Sequence, residues 1–332
     1  MSWILAHLEQ LSSIVALVLL AFAVTAPFEA LRWWAQDVDL TLPSFPPKRE
    51  TPSEPGECYV VYLTGIGGSG ESLARREQGF VDRVKERVPG AVMVTDVFPF
   101  SVTNNPLTGE RPLAWLWSFL HRARLTAKSL LFEFWIGARN VFQVAVCSDP
   151  RYGPIFNLGI AREVYESLLR HGYDPRSKAP IFLVGYSGGA QVALGAACYL
   201  TRLRSKVVVI TGGGVFSSIP GILLAHHLYC LTGSKDRTIH LGPVLFPGRW
   251  KLVGGSCWNR ALRKGQVTIK ELGPMIHSGK GDYFTRSVSL ENGTTFADHT
   301  ADVVAEIVKT TVAEVGASPP ADGADSSGDT PR

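Results

Sequence analysis

The stretch Ile181-Phe-Leu-Val-Gly185-Tyr-Ser187-Gly-Gly189-Ala-Gln-Val-Ala-Leu-Gly-Ala-Ala-Cys198 leaves this chain few ways to fold. An apolar, β-branched run ends in Gly185-Tyr186-Ser187-Gly188-Gly189, and a small-residue segment of helical character follows at once. The order reads strand, sharp turn, helix. In such a turn a serine is held in a strained backbone conformation with its hydroxyl pushed out at the top of a sheet, while flanking glycines let neighbouring backbone pass. The helix that follows presents Ala190, Ala193, Ala196 and Ala197, which suit close packing on a sheet, and its first turn aims free amides at whatever bonds to Ser187.

This pattern resembles the nucleophile elbow of the α/β-hydrolase superfamily, and the resemblance runs from about Cys58 to Val315. It implies an α/β fold with a mostly parallel central sheet flanked by helices. Apolar strand-like runs recur at Cys58–Leu63, Ala91–Phe98, Lys206–Thr211, Leu228–Thr232 and Val267–Leu272, with helical patterns at Ser72–Val88, Ile160–His171 and Thr300–Val312. Ser187, Asp236 and His277 each fall just past a predicted strand, in the chain order of the superfamily's triad. The resemblance implies that Ser187 attacks, His277 serves as base and then acid, and Asp236 orients the imidazole. His299, directly before the last helix, is the rival base; His277 is preferred because it follows the last strand closely in a Gly/Ser loop. Asp282-Tyr283-Phe284, just beyond, is expected to pack the catalytic loop.

The first strand runs into Thr64-Gly65-Ile66-Gly67-Gly68-Ser69-Gly70. In the hydrolase reading this loop supplies one oxyanion-hole amide, from Ile66 or Gly67, to act with that of Gly188. The superfamily often has His-Gly where this chain has Thr64-Gly65. The same residues also match the dinucleotide fingerprint G-x-G-x-x-G, with Asp96 ending the next strand at a distance suited to a ribose hydroxyl. An NAD(P)-binding oxidoreductase is therefore one alternative, and a catalytically silent hydrolase fold acting as a membrane-tethered module is another. Three strand-end residues in triad order outweigh a single glycine motif. The leading expectation is a serine hydrolase of the carboxylesterase or lipase type, cleaving a lipid or other apolar ester, with no cofactor and no metal. The adjacent His226-His227 pair lacks a third ligand at metal spacing.

Leu11 to Phe28 is uninterrupted by charge and would form a helix about 27 Å long at roughly 1.5 Å per residue, close to a bilayer's hydrocarbon thickness. Residues 1–36 are thus expected to be a single-pass membrane anchor, with Trp33 and Trp34 at the interface; the small-residue sites at Ala23 and Ala26 leave a cleaved signal as the competing reading. Lys/Arg follow the span and none precede it, which places the body on the cytoplasmic side. Residues 37–57 are a proline-rich linker, 58–315 the catalytic domain, and 316–332 a tail without large apolar residues, expected to be disordered. A helical, cap-like insertion is expected at about 104–140, from the apolar spacing of Pro112–Trp135 with His121, Arg122, Arg124 and Lys128 between. Arg249-Trp250-Lys251 and Trp258 to Lys264 repeat that basic-aromatic character and read as solvated faces. A net charge of +4 argues against a nucleic-acid partner and permits contact with an anionic membrane surface. Five cysteines without paired spacing read as buried, reduced thiols.

Overall fold

The computed structural model describes residues 56–68, 73–101 and 130–317 and, before them, only positions 13, 17 and 20. The expected membrane anchor (apart from those three positions), nearly all of the linker and of the tail, and residues 104–129 of the insertion lie outside the described residues. Among the described residues no helix is long and apolar enough to cross a membrane.

Six strands form one sheet: β1 (Cys58–Leu63), β2 (Ala91–Val94), β3 (Ile181–Tyr186), β4 (Val207–Gly212), β5 (His227–Thr232) and β6 (Val267–Glu271). Their order across the sheet is β2-β1-β3-β4-β5-β6, and every neighbouring pair is parallel. Parallel sheets need both faces covered, so their strands read as near-continuous apolar runs. The alternation of side chains then sorts each run into two cores. Tyr59, Val61 and Leu63 of β1 join Ile181 and Leu183 of β3 on one face, under α2 (Leu130–Ser148), α3 (Gly153–Arg170) and α4 (Gly189–Leu200). Cys58, Val60 and Tyr62 join Phe182 and Val184 on the other, under α1 (Arg75–Arg87) and α8 (Phe296–Gly316). Among the described residues there are also three short helices: α5 (Gly221–Leu224), α6 (Leu241–Leu245) and α7 (Cys257–Arg263).

The chain leaves β1 toward β2 on one side and returns to β3 on the other, so the strand order reverses between β1 and β3. Crevices at the C-terminal ends of strands at such a switch point are where open α/β sheets bind ligands. The loop Thr64–Gly68 and Ser187 emerge there side by side.

Several sequence expectations shift. The second strand stops at Val94, four residues early, although Val97 and Phe98 remain buried. The helix expected from Ile160 begins at Gly153, where Pro154 suits the first turn. The insertion does not end at 140: α2 continues to Ser148, and its Ile136, Val144 and Cys147 are buried in the main core. Arg249 and Trp258 are not on a solvated face either. Trp258 is buried, and the Arg249 guanidinium packs over the rings of Phe216 and Trp258, 4.1 and 4.2 Å from their centroids. All five cysteines are free; Cys58, Cys147 and Cys230 are buried, but Cys198 and Cys257 are half-exposed.

Candidate active site

Ser187 is the one non-glycine residue among those described with positive φ, at 54°. Two close approaches make that elbow. A Cβ on Gly185 would lie 2.6 Å from the carbonyl oxygen of Gly189, and one on Gly189 would lie 2.4 and 2.5 Å from the carbonyl oxygens of Leu63 and Thr64. Side chains at either position would push α4 off the ends of β1 and β3. The Ser187 amide donates to the Gly212 carbonyl at 3.0 Å, which ties the turn to β4.

Loops from three strand ends converge on this serine. Ser187 Oγ lies 2.8 Å from His277 Nε2, and His277 Nδ1 lies 3.1 and 3.0 Å from Asp236 Oδ1 and Oδ2. Ser187 and Asp236 are buried, and the His277 side chain is 17% exposed. The three residues expected from chain order therefore form one continuous hydrogen-bonded line. His299 is not part of it: it sits in the first turn of α8, its amide bonded to the Thr295 carbonyl at 2.9 Å.

The acid is held by more than the histidine. Tyr283 donates its hydroxyl to Asp236 Oδ2 at 2.8 Å and accepts the Gly233 amide at 2.7 Å, while the Thr238 amide donates to Oδ1 at 2.9 Å. Burial works against the Asp236 charge, but the hydrogen bond and charge of His277, then Tyr283 and the Thr238 amide, outweigh it and hold the carboxyl below its ordinary range. Burial and the nearby carboxylate raise the Tyr283 hydroxyl, so it stays a donor. The imidazole is fixed from its other side as well. Tyr186 stacks on His277 at 5.6 Å and donates to the His277 carbonyl, and Phe284 packs on Tyr186 at 4.8 Å. Arg76 pairs with buried Asp282 and so fastens the start of α1 to the His277 loop. The expectation that residues 282–284 pack this loop missed the more direct role of Tyr283.

The loop after β1 closes the other side of the serine. Gly68 N–H donates to the Gly65 carbonyl at 3.0 Å, making a turn with Ile66 and Gly67 at its centre. Ile66 lies against Gly188, where an added Cβ would meet Ile66 Cγ2 at 2.6 Å and Val144 Cγ2 at 3.0 Å. Gly67 sits at the exposed tip. Asn140, fully buried on α2, donates to the carbonyls of Ile66 at 2.6 Å and Gly68 at 2.9 Å, and Thr64 donates to the Glu77 carboxyl of α1 at 3.0 Å. Neither Asn140 nor Thr64–Glu77 carries a sequence signal, because each works through tertiary contact alone. Asp96, the ribose candidate of the dinucleotide reading, is instead bonded to Ser167 and Arg170 of α3. His227 meets Thr268 at 2.9 Å, and among the described residues no cluster of His, Cys, Asp or Glu could hold a metal.

Gly213 is a site residue that the run Gly212-Gly-Gly214 concealed. Its φ is +55°, and a Cβ there would lie 2.8 Å from Asp236 Oδ2, 3.0 Å from the Tyr283 ring and 3.3 Å from His277 Nδ1. Gly213→Ala combines a left-handed backbone penalty of about 1–2 kcal/mol with displacement of the acid–base pair. The expected result is a folded protein, by circular dichroism, in which the rate of covalent labelling of Ser187 by a fluorophosphonate falls by about 100-fold, the scale of a 1 Å misplacement.

No protein-family model and no curated protein sequence matches the chain. Among solved structures, the crystal structure of a dienelactone hydrolase-like promiscuous phosphotriesterase from metagenomic libraries is similar to it over 78% of this chain and 88% of that one, at 10% identity and a TM-score of 0.41.

Proposed function

We propose that this chain is a serine hydrolase that cleaves an ester through an acyl-serine intermediate, acting on a lipid or other apolar acyl group. The observation that carries this reading is the hydrogen-bonded line Ser187–His277–Asp236 set in a strained elbow. As Ser187 Oγ bonds to the substrate carbonyl carbon, its proton passes to His277 Nε2, and Asp236 stabilises the resulting imidazolium. Negative charge grows on the carbonyl oxygen, to which the amides of Gly188 and Ile66 would donate. Neither amide has a hydrogen-bond partner among the described residues. Each such donor is worth about 2.7–4 kcal/mol to the transition state. His277 then gives its proton to the leaving alkoxide as the C–O bond breaks, and it activates water to release the acid and regenerate Ser187.

An apolar acyl group suits the methyl groups of Ile66 and Val144 beside Gly188. In the same reading residues 1–36 tether the enzyme to a membrane, with the body on the cytoplasmic side and lipid esters within reach. Covalent labelling by a fluorophosphonate tests the proposal. The intact full chain should be labelled at Ser187, and Ser187→Ala should take no label. A folded intact chain that takes none would overturn the reading.

A further inference from the structure

We infer that the segment joining β5 to β6 is a docking surface for an anionic lipid bilayer. Between Asp236 and Glu271 the chain has seven Lys or Arg residues and no Asp or Glu, so this segment alone exceeds the net charge of +4 on the whole protein. Lys270 pairs with Glu306 and Arg249 is packed against Phe216 and Trp258, but Arg237, Lys251, Arg260, Arg263 and Lys264 meet no carboxylate among the described residues. The same segment carries most of the large apolar side chains exposed among the described residues: Leu252 is 94% exposed, Val244 69%, Leu245 59% and Trp250 47%. Scattered apolar residues on a surface mean little, but a concentration beside unpaired cations is the composition of an interfacial membrane-binding face.

The fold displays this face through a built turn. Val253 N–H donates to the Trp250 carbonyl at 3.0 Å, which puts Lys251 and Leu252 at the tip. Asn259, buried on α7, donates to the carbonyls of Trp250 at 2.7 Å and Val253 at 2.9 Å from inside the turn. The turn's base is Arg249, packed over the rings of Phe216 and Trp258, and the Trp250 indole N–H donates to the Pro243 carbonyl at 2.6 Å, fixing the turn to α6. Buried polar side chains are thus used to hold a lysine and a leucine out into solvent. That arrangement fits insertion of Leu252 below headgroups that Lys251 and its neighbours neutralise, each basic residue gaining from the negative surface potential.

A lipid occupant is favoured over a protein one by chemistry. Lysine is depleted in protein interfaces. A second copy of this chain would set one acid-free cationic face against another, and like charges across an interface are repulsive. The inference does not depend on the hydrolase reading, although the segment begins one residue after Asp236.

Hydrogen exchange on the full chain tests it. The protein is mixed with liposomes of phosphatidylcholine alone, or of phosphatidylcholine with phosphatidylserine. Amides of residues 241–264 should exchange about tenfold more slowly with the anionic liposomes, the protection should fade as salt is raised, and the sheet should be unchanged. Lys251→Glu with Leu252→Glu, at a tip too exposed to disturb folding, should abolish the protection, and Lys264→Glu should weaken it. Equal exchange in the two liposomes would overturn the inference. So would protection that survives the double substitution, or protection that grows with protein concentration without liposomes and so reports self-association.

Discussion

His277→Ala should lower kcat/KM on an ester by on the order of 10⁵- to 10⁶-fold, while His299→Ala should leave it within about twofold of the parent. The asymmetry follows from position. His277 Nε2 is 2.8 Å from Ser187 Oγ, and without it no group described at the site can take the serine's proton. Serine itself is too weak an acid to ionise unaided at neutral pH. His299 lies in the first turn of α8, with no side-chain hydrogen bond to the triad. Steady-state kinetics on a short soluble ester, beside a thermal melt of each variant, is the measurement. Comparable losses for the two histidines would mean that the loss comes through folding and would remove the case for His277 as the base.

Asp236→Asn should cost about 10⁴-fold in kcat with little change in KM. Three donors converge on this carboxylate: His277 Nδ1–H, the Tyr283 hydroxyl and the Thr238 amide. An asparagine can offer its oxygen to only one side. If the oxygen stays toward Thr238, the NH₂ faces His277 Nδ1 and Tyr283. The imidazole is then pushed to the tautomer that carries its proton on Nε2, pointing at Ser187, where it cannot accept. Binding contacts to the ester are untouched, so the loss should sit in kcat. Kinetics on the same ester series separates the two parameters. A loss confined to KM would mean that Asp236 shapes the pocket and does not orient the base.

Much of this architecture was legible before any fold was known, and for a physical reason. Buried parallel strands must be apolar on both faces, so β1, β3 and β4 announce themselves as continuous runs. The elbow is local: the glycines at 185, 188 and 189 and the alanines of α4 are read directly along the chain, and their close approaches in the structure explain them. Boundaries were less legible because tertiary packing overrides local pattern. The insertion expected to end at about 140 gives way to a helix, α2, that runs to Ser148 because Val144 and Cys147 have a core to enter. The basic-aromatic residues 249–264 looked uniformly solvated, since no spacing foretells that Phe216 and Trp258 would close on Arg249 while Lys251 and Leu252 stay outside.

Read along the chain, the residues specify a serine-bearing turn between a strand and a helix, the order serine, acid, histidine past strand ends, and a glycine turn after the first strand. Those features depend on neighbours in the chain, on side-chain periodicity and on strand order. The folded contacts are what bring His277 and not His299 to Ser187, set Tyr283 against Asp236, leave no room for a side chain at Gly213, and let Asn140 hold the Ile66 turn. Each of those contacts joins residues tens of positions apart whose loops meet only at the C-terminal edge of the finished sheet. Their distances are set by the register and twist of strands between them, which a linear pattern does not encode.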